Sequence, residues 1–202
     1  MTLLVMLPAA HAEPGDFAQQ GFLDALPPGV EALPAPLRPA DYLEEDLAGR
    51  LHAEVIAPAL RRGPRPVWLL GISLGGMGAL LYARTRPVAG LILLAPFLAT
   101  RGTIAEVTEA GGLDAWNPGP LAPHDLERGL LAWLRGADLA GMGVRLGYGS
   151  ADRYVAASAM LARRLPPERV TIAEGGHDWP TWVTLWRRIL ATRPLVQSAT
   201  GL

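Results

Sequence analysis

Residues Pro66 to Thr85 read PVWLLGISLGGMGALLYART, and this stretch restricts the fold more than any other. Its first half is a continuous apolar run, the pattern of a strand buried on both faces. Its second half is a run of small and apolar residues that predicts a helix. Ser73 stands where one becomes the other, with Gly71 and Gly75 two residues to either side. A serine on so sharp a strand-to-helix turn is forced outward, in torsions tolerable only among small neighbours. A side chain at either flanking position would collide with the adjoining strand or helix. The glycines make room for a corner that presents one hydroxyl at a helix N-terminus.

The rest of the chain repeats the alternation. TLLVML (Thr2 to Leu7) and VAGLILLAPFL (Val88 to Leu98) read as buried strands, and VEALPA (Val30 to Ala35) as a short one despite its prolines. GVRLGYG (Gly143 to Gly149) and RVTIAEGG (Arg169 to Gly176) complete the set. Between them, Asp16 to Leu26 predicts a helix capped by Asp16. Asp41 to Leu60 predicts a longer one, capped by Asp41, with Tyr42, Leu43, Leu47, Leu51 and Val55 on one face. Further helices are expected near Val155 to Leu165 and from about Pro180 to Ala191. Strands alternating with helices argue for an α/β three-layer sandwich around a mostly parallel sheet. Ligands then bind beyond the carboxyl ends of the strands. Residues 100–140 interrupt the pattern with glycines and two short helical pieces. They are read as a helical lid or cap inserted into a single domain spanning 1–202.

Composition removes several classes of function. The chain carries 18 basic residues, every one arginine, against 19 acidic, and no basic block of the kind nucleic acid requires. Without cysteine, disulfides, thiol nucleophiles and thiolate-bound metals are excluded. No apolar stretch approaches the ~18 residues of a bilayer span, and MTLLVMLPAA lacks the basic start of a signal peptide. These features predict a soluble, cytoplasmic protein without a membrane or nucleic-acid partner.

The strand ends then supply the chemistry. A serine hydroxyl is a poor nucleophile without a base, usually histidine, itself oriented by a carboxylate. Of four histidines, His52 falls inside a predicted helix and His124 inside the insertion. His11 follows the first strand. His177 follows VTIAE and two glycines, where the backbone can swing an imidazole over the sheet edge, and is favoured over His11. Asp152 lies in the loop after LGYG and is the candidate acid, although it also suits helix entry. Asp178 adjoins His177 but is assigned a structural role. Ser73, Asp152 and His177 fall in the chain order that strand–turn–helix nucleophile sites use.

With these residues in place the chain resembles the α/β-hydrolase superfamily, in particular its small bacterial esterase-like members. LLVMLPAA matches the oxyanion strand, GISLGG the nucleophile elbow, LGYGSADRYV the acid loop and EGGHDWPTW the histidine loop. The family pattern has eight strands. This chain starts at the oxyanion strand, so a trimmed sheet of about six is expected. The resemblance implies an oxyanion hole made by the amides of Leu74 and of Ala10, with Ala9 as the alternative. The family often places a His-Gly pair where this chain has LPAA, and alanine enters positive φ less readily than glycine. The implied activity is cleavage of a small-molecule ester by a serine triad, with no cofactor and no metal; the alternatives are a thioesterase or acyltransferase on the same triad, and a catalytically inactive binding protein of this fold. A homodimer is compatible with it. Trp116 and Trp133 of the insertion are read as packing residues, and Trp182 and Trp186 as the seam of the last helix.

Overall fold

The computed structural model describes residues 1–195 apart from Glu45 and Pro123, and the side chain of Leu43 also lies outside the described set. Six apolar segments pair into one sheet. They are β1 (Thr2–Leu7), β2 (Val30–Pro34), β3 (Val67–Ile72), β4 (Gly90–Leu94), β5 (Arg145–Gly149) and β6 (Val170–Ala173). Their order is β2-β1-β3-β4-β5-β6, and every neighbouring pair is parallel. The expectation of about six strands holds. β1 and β4 are buried along their whole length, as central parallel strands must be when both faces are covered. β2 is only half-buried and ends on Pro34, a residue an edge strand tolerates because it owes no ladder bond on the open side.

The helices are α1 (Asp16–Gln19), α2 (Leu47–Leu51), α3 (Ala57–Leu60), α4 (Leu74–Thr85), α5 (Arg101–Glu109), α6 (Leu126–Gly136), α7 (Val155–Ala162) and α8 (Trp179–Ala191). α4 packs on β1, β3 and β4, and α8 on β4, β5 and β6. Phe22 stacks on Trp186 at 5.4 Å between centroids, and the Trp186 indole N–H donates to the Phe22 carbonyl at 3.1 Å. This contact docks α8 against the turn region after α1, the seam expected of Trp186. Trp116 is buried and Trp133 half-buried against the core. Among the described residues no helix is long and apolar enough to cross a membrane.

Two predicted helices come out differently. The segment 16–26 holds only one helical turn, after which Gly21 turns the chain at φ 72°. Asp16 is not its cap: Gly15 holds that position, and the Asp16 carboxylate accepts from the Glu13 amide at 2.9 Å. The segment 41–60 is broken into a 3₁₀ turn at Pro39–Leu43, then α2, a π turn at His52–Ile56 and α3. Pro58 lacks the amide that a continuous helix would offer the carbonyl four residues back. The ladder widens just before it, the Ala57 amide donating to His52, five residues behind. Asp46, not Asp41, caps α2, accepting from Gly49 at 3.0 Å. Tyr42, Leu47, Leu51 and Val55 are nevertheless buried. The apolar periodicity identified the inward face even though the helix is interrupted.

Candidate active site

The corner at Ser73 is built from backbone. Ser73 has φ 52° and ψ −113°, a conformation that costs a non-glycine residue about 1–3 kcal/mol and persists only where surroundings over-determine it. Here they do. The Ser73 amide donates to Leu94 at 2.9 Å, and its carbonyl accepts from Gly76 and Phe97, each at 2.9 Å. A Cβ on Gly71 would stand under 3.0 Å from the backbone of Gly75 and Gly76, and one on Gly75 under 3.0 Å from the Leu7 and Pro8 carbonyls. Both collisions expected from the sequence are present, the first with α4 and the second with the end of β1.

Across from it stands a corner built from side chains. β5 and β6 run on past their last paired residues, the Ser150 amide donating to Ala173 at 2.8 Å and Ala151 to Gly175 at 2.9 Å. This brings the loop bearing Asp152 against the loop bearing His177. His177 Nδ1 and Asp152 Oδ2 are 2.8 Å apart, and His177 Nε2 and Ser73 Oγ are also 2.8 Å apart. A carboxylate can only accept, so Nδ1 carries the proton and Nε2 faces the hydroxyl as acceptor. The Asp152 side chain is fully buried and that of His177 is 7% exposed. The second carboxylate oxygen of Asp152 accepts from the Tyr154 amide at 2.7 Å. Tyr154 and Trp182 meet the imidazole edge-on at 4.9 and 5.1 Å between centroids. Asp178 caps α8 through the Thr181 amide at 3.0 Å and the Thr181 hydroxyl at 2.7 Å, the structural role expected of it. The Thr181 hydroxyl first, and then its amide, hold the Asp178 carboxyl below its ordinary value.

Leu74 opens α4, so its amide has no partner in the helix. Neither it nor the amides of Ala9 and Ala10 donate to any acceptor among the described residues. Both alanines keep negative φ, so the penalty anticipated for a loop without glycine does not arise. Tyr42, fully buried, donates its hydroxyl to the Pro8 carbonyl at 2.9 Å and fixes the start of this loop. Burial, and secondarily the charge of Asp41, raises its hydroxyl pKa far above the ordinary phenol range. It therefore remains a donor at every working pH.

A cavity of about 340 Å³ opens over these groups, lined by residues 9–12, Ser73, Arg153 and residues 177–179 with Trp182. His11 reaches its wall while Ser73 pairs with His177; His52 lies elsewhere, its ring 2.9 Å from the Tyr82 hydroxyl, and His124 is exposed in a turn. Apolar spacing marks Tyr42 only as part of a buried helix face and Trp182 only as packing, and nothing but closeness to Asp152 marks Arg153 and Tyr154 in the sequence.

This architecture is the α/β-hydrolase fold: a parallel six-stranded sheet with flanking helices, the Ser73 corner following β3 beside β1. No family model and no curated protein sequence matches the chain, but solved structures do. Fluorophosphonate-binding serine hydrolase F of Staphylococcus aureus superposes with a TM-score of 0.66 at 15% identity, covering 97% of this chain and 84% of that one. The Paleococcus ferrophilus monoacylglycerol lipase gives 0.59 at 18% identity, with coverage of 96% and 93%. The thioesterase domain from the curacin biosynthetic pathway gives 0.55 at 14%, with 96% and 91%.

Proposed function

We propose that the protein is a serine hydrolase that cleaves carboxylic esters through Ser73, His177 and Asp152. The observation carrying this reading is the unbroken chain of two 2.8 Å contacts from hydroxyl to imidazole to buried carboxylate. His177 Nε2 takes the hydroxyl proton as Ser73 Oγ bonds to the ester carbonyl carbon. Asp152 holds the ring and stabilises the imidazolium. The carbonyl oxygen becomes an oxyanion that accepts from the Leu74 amide and from that of Ala10 or Ala9. Each such donor is worth about 3–4 kcal/mol in comparable sites. Collapse expels the alkoxide, which leaves with the proton from His177. Water then repeats the sequence on the acyl-serine, releasing the acid and restoring the hydroxyl.

Similar folds in a fluorophosphonate-binding hydrolase, a monoacylglycerol lipase and a thioesterase domain support the hydrolase class. The leaving group separates ester from thioester cleavage, and the acceptor of the acyl group separates hydrolysis from acyl transfer. Turnover of p-nitrophenyl esters and acyl thioesters, with alcohols competing against water, reads that directly. Ser73→Ala should abolish p-nitrophenyl ester turnover and labelling by a fluorophosphonate. Wild-type rates in that variant would overturn the assignment.

A further inference from the structure

A second cavity of about 400 Å³ adjoins the first, a volume within the range of small-molecule sites. One wall is a face of α5 carrying Arg101, Ile104, Ala105 and Thr108, residues at the i, i+3, i+4, i+7 spacing of a single helical face. The other is the start of α7 with Arg153 and Tyr154 before it. Arg153 lines both cavities. Its guanidinium carbon lies 5.1 Å from the centroid of the Tyr154 ring, and the same ring touches His177. Stacking of this kind orients a guanidinium and leaves its in-plane N–H groups free.

The charges around Arg153 are committed elsewhere. In the Ser73 cavity, Asp152 is held by His177 and the Tyr154 amide, and Asp178 by Thr181. Arg50, Arg62, Arg65, Arg128 and Arg164 each pair with a carboxylate. Among the described residues neither Arg153 nor Arg101 does. The carboxylate of the second cavity, Glu109, sits eight residues along α5 from Arg101, about 12 Å at the helical rise. The second cavity thus combines an apolar floor, two guanidinium groups with no carboxylate at ion-pair distance and one anion placed towards the other end of α5, while the Glu127 carboxylate at the start of α5 is held by Thr100 and Thr103.

Building on the esterase reading above, we propose that the preferred substrate is an ester whose acyl arm is apolar and ends in a carboxylate. The arm leaves Ser73 towards the second cavity and lies along its apolar walls between α5 and α7, its carboxylate drawn to the Arg153 guanidinium that lines that cavity, within a field that Arg101 reinforces. Planar bidentate pairing with a carboxylate is what a free guanidinium edge offers and an ammonium does not.

The test compares two p-nitrophenyl esters of equal length: the hemi-ester of an eight-carbon dicarboxylic acid and its neutral methyl ester. In the wild-type protein at low salt, kcat/KM should favour the acidic ester by about tenfold, and the advantage should shrink as salt screens the exposed guanidinium. Arg153→Met should bring the ratio to one, with Arg153→Lys in between. Because the ratio is taken within each variant, a general loss of activity or folding cancels. Ala105→Trp, which fills the cavity from an exposed helix position, should lower kcat/KM for both long esters relative to the acetate. A wild-type ratio at or below one, or a ratio in Arg153→Met unchanged from that of the wild type, overturns the proposal. Hydrolysis of the neutral ester that is lost in Ser73→Ala would still support the esterase reading in that event.

Discussion

Ser73 and His177 face each other across 2.8 Å, yet they are held by opposite means. The Ser73 corner is fixed by main chain: a positive φ, backbone hydrogen bonds to Leu94, Gly76 and Phe97, and two glycines whose missing side chains let α4 close on β3 and β1. The His177 corner is fixed by side chains from two segments: Asp152 and Tyr154 of the loop after β5, and Trp182 at the start of α8, whose cap Asp178 makes with Thr181. A backbone-built corner tolerates almost no added atoms. A side-chain-built one is sensitive to the chemistry of its partners while its space stays the same.

The largest expected effect tests the second kind of support. Asp152→Asn keeps the shape and can still accept from the Tyr154 amide, but it offers an N–H to Nδ1 and so favours the tautomer with Nε2 protonated. We expect kcat to fall about 10⁴-fold with little change in thermal unfolding. A loss confined to stability would mean that Asp152 serves helix entry alone. Gly75→Ala tests the first kind. Its Cβ would fall on the Leu7 and Pro8 carbonyls, and overpacking against rigid backbone costs about 3 kcal/mol, read as a lowered denaturation midpoint. A variant as stable as wild type would show that β1 and α4 can slide apart and that the corner is not sterically fixed. The smallest effect is expected at the cap of α8, where Asp178→Ala should cost about 1 kcal/mol at neutral pH. The folded-state pKa of Asp178 lies below its ordinary 3.8, so its contribution is present above that value and lost as pH falls through the folded pKa. Unfolding curves of wild type and variant should converge in strong acid. A gap that persists there would assign the effect to something other than the ionised cap.

The same contrast explains what could be read from residues alone. Steric exclusion between close neighbours in the chain leaves a local trace, so Gly71, Ser73 and Gly75 mark their corner, and continuous apolar runs mark the central strands β1, β3 and β4, whereas β2, β5 and β6 are legible from shorter, mixed stretches. His177 is legible because two glycines after a strand let the backbone turn sharply at the sheet edge. Helix continuity is less so. In the 41–60 segment the periodicity found the buried face, while Pro58 and the π turn before it redistributed the hydrogen bonds.

By itself, then, the sequence determined a parallel α/β sheet with a hydroxyl, an imidazole and a carboxylate at the ends of three of its strands, because strand and turn formation depend on near neighbours. Only the tertiary structure decided that Tyr42 pins the loop after β1, that Tyr154 and Trp182 clamp His177, and that Arg153 joins two cavities. Those contacts pair groups on separate segments, or set the direction of one exposed side chain. Such relations are fixed by how layers pack, and no spacing along the chain encodes them.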